Sequence, residues 1–347
     1  MSVFDHKEFD NHEEVVFCYD QASGLKAIIA VHDTTMGPSL GGTRMWDYAS
    51  SAEALTDVLR LSRGMTYKSA LAGLPLGGGK AVIIGNAKTD KSPELFKAYG
   101  RFVDSLGGKY ITAEDVNIRT GDIEIVGTQT RYVAGTESKA GDPSPHTALG
   151  SYLGVKAAAK HKFGSDDVKG LRIAIQGLGA VGYEFARLLA NDGAILTVCD
   201  VNQEVVDKAV KQLGATAVGI DEIYDVEMDV YAPCALGATI NNDTLKRIKA
   251  LVIAGSANNQ LATNAHDKIV KEMGILYAPD YVINAGGVIH ISSEAANFSS
   301  EETAGRVRGI YNTLDLIFSR ATEEDRPTGE IADELAREIL AAKARGN

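Results

Sequence analysis

The sequence predicts an α/β protein of two domains, an N-terminal α/β domain followed by a doubly wound parallel sheet, and three observations carry that prediction. The chain has 347 residues, more than one hydrophobic core ordinarily serves, so about two domains are expected. From Leu171 onward, short apolar stretches alternate with amphipathic stretches of about ten residues, the order that builds parallel βα repeats. Between the first of those strands and its helix stands "QGLGAVG", a glycine turn of the kind such sheets use at their ligand crevice.

Composition narrows the partners. Hydrophobic residues at 45% and charged residues at 23% are the balance of a globular chain, not a disordered one. A net charge of −11 with no basic stripe argues against nucleic acid and for a small molecule. Cys18, Cys199 and Cys234 stand far apart with no metal-ligand spacing, so neither a disulfide framework nor a metal site is expected. The opening segment is acidic where a signal peptide is basic and then apolar, and no apolar run approaches the roughly 18 residues of a membrane span. The expectation is a cytoplasmic protein without membrane attachment.

Taken in order, Glu13 to Asp33 reads as two strands around a Ser-Gly turn. Ser51 is then the expected cap of a helix whose apolar positions Ala54, Leu55, Val58 and Leu59 fall at helical spacing and whose end carries Lys68. Next comes "LPLGGGKAVIIG". It is not a phosphate loop: the first glycine position is Leu74, the residue after Lys80 is Ala81, and "AVIIG" is a strand where that loop needs a helix. Gly77, Gly78 and Gly79 therefore mark a close approach of the chain to something, with one ammonium beside it, and substrate or cofactor is the expected neighbour. A Pro-started helix capped by Ser92 comes after it, and then "KYITAEDV", a strand that leaves Asp115 at its end. Gly135 to Pro145 is rich in turn residues and is the expected hinge. The expected division is 1–135 for the substrate domain, 136–300 for the parallel-sheet domain, and 301–347 for C-terminal helices that pack back on the first.

The second domain holds the stronger motif. Gly177, Gly179 and Gly182 form GxGxxG after the strand "LRIAI", with a helix expected to open at the last glycine, and Asp200 lies 18 residues further on, after the strand "AILTVCD". Glycines let the backbone approach a pyrophosphate, the helix N-terminus offers unpaired N–H groups, and the acid accepts from ribose hydroxyls. This is the Rossmann arrangement, and the acid favours NAD by repelling the 2′-phosphate of NADP. Asn258, Asn259 and Asn284 are read as following strands of the same sheet, where amides can face the cofactor or merely form turns. In the first domain Lys68, Lys80 and Asp115 lie at element boundaries, and Lys80, held between glycines and an apolar run, is the candidate general base. His32, His146 and His290 lie in no comparable constellation, and Met65 reads as a core filler.

Together "GPSLGGTRM", "GMTYK", "GGGKAVIIG", "TAEDV", "QGLGAVG", "APCALG", "AGSANNQL" and "YAPDYVINAGGVI" resemble the dehydrogenases that act on glutamate, leucine, phenylalanine and valine, nearest the leucine-acting members, from about Val15 to about Ile291. The resemblance implies oxidative deamination of an L-amino acid to its 2-oxo acid and ammonia, and the reverse, in a cleft between two domains of a homo-oligomer. It implies that Lys68 holds the substrate carboxylate, Lys80 activates water and Asp115 exchanges protons with the substrate nitrogen. Leu40, Gly41, Met65, Ala113, Val288 and Ile291 would contact substrate. Leu178, Ala180, Val181, Thr147, Ala235, Asn259 and Asn284 would join the glycines and Asp200 around NAD. Leu40 stands where glutamate-acting members carry a lysine, so glutamate is disfavoured. The apolar lining suits leucine, valine or isoleucine, and phenylalanine or tryptophan is the alternative, since Asn117 replaces the glycine of leucine-acting members as aromatic-acting relatives do. A remoter alternative is a catalytically silent NAD-binding regulator.

Overall fold

The computed structural model describes residues 2–135, 141–235, 237–296 and 298–346. Residues 136–140 of the expected hinge, and Leu236 of "APCALG", lie outside the described residues. The chain divides into two compact units. One comprises Met1–Gly141, Ile291–Asn297 and Ala336–Asn347, the other Asp142–His290 and Phe298–Leu335.

In the first unit the order is β1 (Glu14–Asp20), β2 (Leu25–Asp33), β3 (Ser39–Trp46), α1 (Ser51–Leu71), β4 (Gly77–Ile84), α2 (Pro93–Ser105), β5 (Tyr110–Glu114) and α3 (Thr120–Gly127). Ser50, one residue earlier than expected, caps α1 by accepting from the Glu53 amide, and Ser92 caps α2 in the same way. Among the described residues the strands form a mixed sheet ordered β1-β2-β4-β3-β5. Its two faces are both buried because alternate residues serve different helices. Ile29, Val31, Ala81 and Ile83 pack with Phe96, Tyr99 and Val103 of α2, while Ile28, Ala30 and Val82 pack with Ala54, Val58 and Leu59 of α1.

The second unit runs α4 (Ser144–Phe163), β6 (Arg172–Gln176), α5 (Ala180–Asn191), β7 (Ile195–Cys199), α6 (Gln203–Leu213), β8 (Thr216–Ala217), β9 (Val230–Pro233), β10 (Val252–Ile253), α7 (Ala265–Glu272), β11 (Leu276–Tyr277), α8 (Asp280–Ile283), α9 (Gly286–Ala295), α10 (Ser300–Glu323) and α11 (Thr328–Gly346). The last part of α9 and the end of α11 group with the first unit. The parallel sheet is ordered β11-β10-β9-β6-β7-β8. Strand order reverses beside β6, so the crevice beyond its C-terminal end is where a doubly wound sheet binds its ligand. Among the amphipathic stretches expected to alternate with strands after Leu171, residues 242–250 form only a 3₁₀ turn over Thr244–Lys246, where Thr244 Oγ1 donates to the Thr239 carbonyl.

The C-terminal helices divide. α10 groups with the second unit, where the expectation placed it with the first. The cause is local: a side chain at Gly150 or Gly154 of α4 would meet Ile310 of α10 at 2.6 Å or Leu314 at 3.0 Å, so the two glycines make room for α10. Only the last twelve residues, Ala336–Asn347, group with the first unit.

Candidate active site

In parallel strands, paired residues present their side chains to the same face. Leu40 pairs with Gly78 and Gly42 with Ala113, and Lys80 shares its face with Gly78 and Val82, the face that α1 covers. Leu40, Lys80, Ala113 and the position after β5, Asp115, thus gather on one side of one sheet. Met65 and Lys68, both half-buried, come from the α1 that covers it. Gly41 falls on the opposite face, and its carbonyl accepts from the Tyr110 hydroxyl at 2.6 Å.

Lys80 is 7% exposed, and its Nζ lies 2.8 Å from Asp115 Oδ2. The ammonium that the sequence presented alone is therefore half of an ion pair whose carboxylate is half-buried. Burial by itself would raise the affinity of Asp115 for a proton, but Lys80 and then Arg44 outweigh it and hold the carboxyl below its ordinary range. Arg44 passed unnoticed in the sequence. Its Nε donates to the same Oδ2 at 3.2 Å and its Nη1 to Asp57 of α1 at 3.0 Å, while the Tyr48 hydroxyl also donates to Asp57, at 2.6 Å. The available signal was an arginine inside the strand "SLGGTRMW".

The three early glycines do not open the backbone to a ligand. A Cβ at Gly77 would lie 2.0 Å from the Asp33 carbonyl oxygen, at Gly78 2.0 Å from the Thr66 amide nitrogen, and at Gly79 2.7 Å from the Tyr110 ring. They bring β4 against β2, α1 and Tyr110, correcting the expectation that substrate or cofactor is what they approach. His32 joins this packing: it is buried and shares a 2.8 Å hydrogen bond between its Nδ1 and Thr66 Oγ1. His146 and His290 stack on one another 4.2 Å apart.

In the second unit a cavity of about 500 Å³ is lined by Leu178, Gly179, Ala180 and Asp200, with Asp142, Glu184 and Lys208 at other points of its wall. Gly177 adopts φ +104°, and a Cβ at Gly182 would strike the Gly177 carbonyl oxygen at 2.2 Å. The helix opens at Ala180, before the last glycine and not at it, with Gly179 as its cap and no side chain satisfying the first amides. Beside Gly179 there is open space. Bare amides over a cavity fit an anionic phosphate pair, so the residues present fit a dinucleotide. Asp200 already accepts from the Leu178 amide at 2.6 Å and the Asn202 amide at 2.8 Å, so it fixes the loop as well as lining the cavity.

The remaining residues named from sequence scatter. Val181 is half-buried on α5. Ala235 abuts Gly177, whose own Cβ would meet it at 2.7 Å. Thr147 Oγ1 donates to the Pro143 carbonyl and sits where a Cβ on Gly287 would fall. Asn259 has φ +52°, and its carbonyl accepts from Ala238 at 2.7 Å. Asn284 does not follow a strand but ends the short helix α8, and its amide donates to Asn258 Oδ1 at 2.7 Å. Val288 and Ile291 both lie half-buried on α9, the first grouped with the second unit and the other with the first. Asn117 has φ +62° and donates to the Met45 carbonyl. A left-handed position accepts glycine or asparagine for backbone reasons, so this residue says nothing about the substrate.

Residues 12–136 match the family described as Glu/Leu/Phe/Val dehydrogenase, dimerisation domain, and residues 202–324 match Glutamate/Leucine/Phenylalanine/Valine dehydrogenase. The chain is 52% identical to a leucine dehydrogenase of Thermoactinomyces intermedius over 98% of its own length and 94% of that protein's. It is 45% identical to a valine dehydrogenase of Streptomyces coelicolor over 97% and 94%. The crystal structure of L-tryptophan dehydrogenase from Nostoc punctiforme superimposes with a TM-score of 0.88 at 44% identity, covering 96% of this chain and 97% of that one. Among the described residues no helix is long and apolar enough to cross a membrane.

Proposed function

This chain belongs to the glutamate/leucine/phenylalanine/valine dehydrogenase family and is an amino-acid dehydrogenase, and we propose that it carries out NAD-dependent oxidative deamination of a branched-chain L-amino acid, leucine, valine or isoleucine, and the reverse reductive amination. The observation that carries the reading is the ion pair of buried Lys80 and half-buried Asp115 on a sheet face whose other side chains include Leu40 and Ala113. Charged groups are buried in pairs or for a task.

In this reading Lys68 fixes the substrate carboxylate. Asp115 takes a proton from the substrate ammonium, because Cα can release hydride only when the amine is neutral. A bound nicotinamide supplies the hydride acceptor. Lys80, as the free amine, then holds and deprotonates the water that adds to the imine carbon, Asp115 returns its proton to the nitrogen, and ammonia leaves as the new hydroxyl gives its proton to the freed Asp115 carboxylate and becomes the ketone.

Leu40, 2% exposed, gives a side-chain carboxylate no partner, and burying one unpaired is costly. The identity to a leucine dehydrogenase, 52% against 45% for a valine and 44% for a tryptophan enzyme, supports an aliphatic substrate. NAD over NADP rests on the Asp200 carboxylate at the cavity wall, which repels an added 2′-phosphate. The matched dimerisation domain supports a homo-oligomer, and the three cysteines without disulfide partners among the described residues agree with a reducing cytoplasm. The test is kcat/KM for a panel of L-amino acids with NAD and with NADP. Leucine, valine or isoleucine should lead with NAD; a large preference for phenylalanine or tryptophan would overturn the substrate, and turnover of none would leave only a dinucleotide binder.

A further inference from the structure

Asp115 must exchange protons with the substrate nitrogen while touching Lys80, which exchanges protons with water. Two adjacent groups that both titrate during turnover have an obvious short circuit: the proton passes from Lys80 to Asp115 across their 2.8 Å contact, leaving a protonated carboxyl that cannot take the proton of the substrate ammonium. A third charge that never titrates prevents it. Arg44 is such a charge, since guanidinium does not lose its proton in proteins.

The geometry assigns Arg44 to be the positioning residue of Asp115, a fixed counter-charge that keeps the carboxylate ionised when Lys80 is neutral and turns Oδ1 toward the substrate nitrogen. This rests on the reading of Asp115 as the proton carrier. Both Lys80 Nζ and Arg44 Nε bond to Oδ2, and the carboxylate also accepts from the Val116 amide, so the two cations share one oxygen and neither takes Oδ1, the working atom. Arg44 cannot swing away, because its second arm is tied to Asp57 Oδ2, to which the Tyr48 hydroxyl also donates. Backbone spacing sets the pose as well. Thr43 pairs with Glu114, so Arg44 and Asp115 are the next residues along neighbouring strands, and at Gly42 a Cβ would fall 2.8 Å from that of Asp115. The charged and titratable groups around Asp115 are thus Lys80 from β4, Arg44 from β3, Asp57 from α1 through Arg44, and the buried Tyr110 at the start of β5, which feels its charge.

The experiment is the pH dependence of kcat/KM, with the amino acid turned over fastest in the panel, for Arg44→Gln, Arg44→Lys, Asp57→Asn and Asp115→Asn, alongside NADH affinity by fluorescence. Arg44→Gln should move the acid limb up by about one pH unit or more and lower kcat about tenfold, with NADH affinity unchanged. Arg44→Lys should keep the limb within about half a unit, since the charge remains. Asp57→Asn should lower kcat without moving the limb, because it frees the arm and spares the charge. An unmoved limb in Arg44→Gln, or a limb displaced equally in Arg44→Lys, overturns the assignment. Should Arg44→Gln not fold, Asp57→Asn with the kcat of the parent overturns it. Asp115→Asn separates the two readings: an inactive Asp115→Asn beside an unaffected Arg44→Gln sinks Arg44 alone, whereas a fully active Asp115→Asn sinks the role of Asp115 and this assignment with it.

Discussion

Two glycine clusters about a hundred residues apart do opposite things with the same lack of a side chain. At Gly77 to Gly79 the missing Cβ atoms are replaced by protein: the Asp33 carbonyl, the Thr66 amide and the Tyr110 ring occupy the space. At Gly177 to Gly182 the outer glycines are packed, Gly177 with φ +104° against Ala235 and Gly182 against the Gly177 carbonyl, but the middle one, Gly179, faces nothing within 4 Å. The first cluster continues as a strand and packs; the second turns into a helix and leaves a cavity with bare amides. Glycine therefore marks close approach, and the element that the chain forms next, strand or helix, decides whether the approach is to protein or to a ligand.

That contrast can be broken in four places. Lys80→Ala, at the end of the first cluster, should cut deamination by about 10³-fold, equivalent to about 4 kcal/mol of barrier, while NADH binding is retained. Single-turnover kinetics with a parallel NADH titration checks both halves. Gly78→Ala forces a methyl to within 2.0 Å of the Thr66 backbone, so α1 must move, at a cost of about 3 kcal/mol or more in stability, measured by urea unfolding. The same packing should answer to acid. Burial first, and then neighbouring His12, push His32 down to about 4, while the unfolded imidazole titrates near 6.5. Below that pH the unfolded chain takes up a proton the folded chain refuses. Stability is thus fully present above about pH 6.5 and falls toward pH 4, by about 3 kcal/mol in total. Urea midpoints across that window should lose much of their slope in His32→Gln. The smallest effect belongs to the second cluster. Gly179→Ala meets open space, so it should unfold at the denaturant concentration of the parent yet bind NADH about tenfold more weakly, because the methyl enters the room a phosphate needs.

Much of this is legible in the chain. β6, the turn after it, α5 and Asp200 can be read in order, because a parallel unit advertises itself by local period and by the one turn chemistry that lets backbone face a phosphate. Lys80 and Asp115 can be picked as boundary residues. Their contact cannot, since it depends on β3 lying between β4 and β5, an order no local pattern encodes. Arg44 escapes notice for the same reason: its partners Asp57 and Asp115 are 13 and 71 residues away. Asn117 reads in the sequence as a clue to substrate, whereas the backbone φ of +62° is what selects it.

By itself, then, the sequence determined what depends on neighbours along the chain: the helix cap at Ser92 and, one residue out, that of α1, the strands of both sheets in outline, and the dinucleotide turn. Those arise from steric and hydrogen-bond preferences acting over a few residues. The tertiary structure alone decided which charges meet, what fills the space beside Gly77 to Gly79, and that α10 groups with the second unit through Gly150 and Gly154. Each of these turns on strand order and helix packing between residues far apart in sequence, where energy comes from burial and pairing that only the assembled core provides.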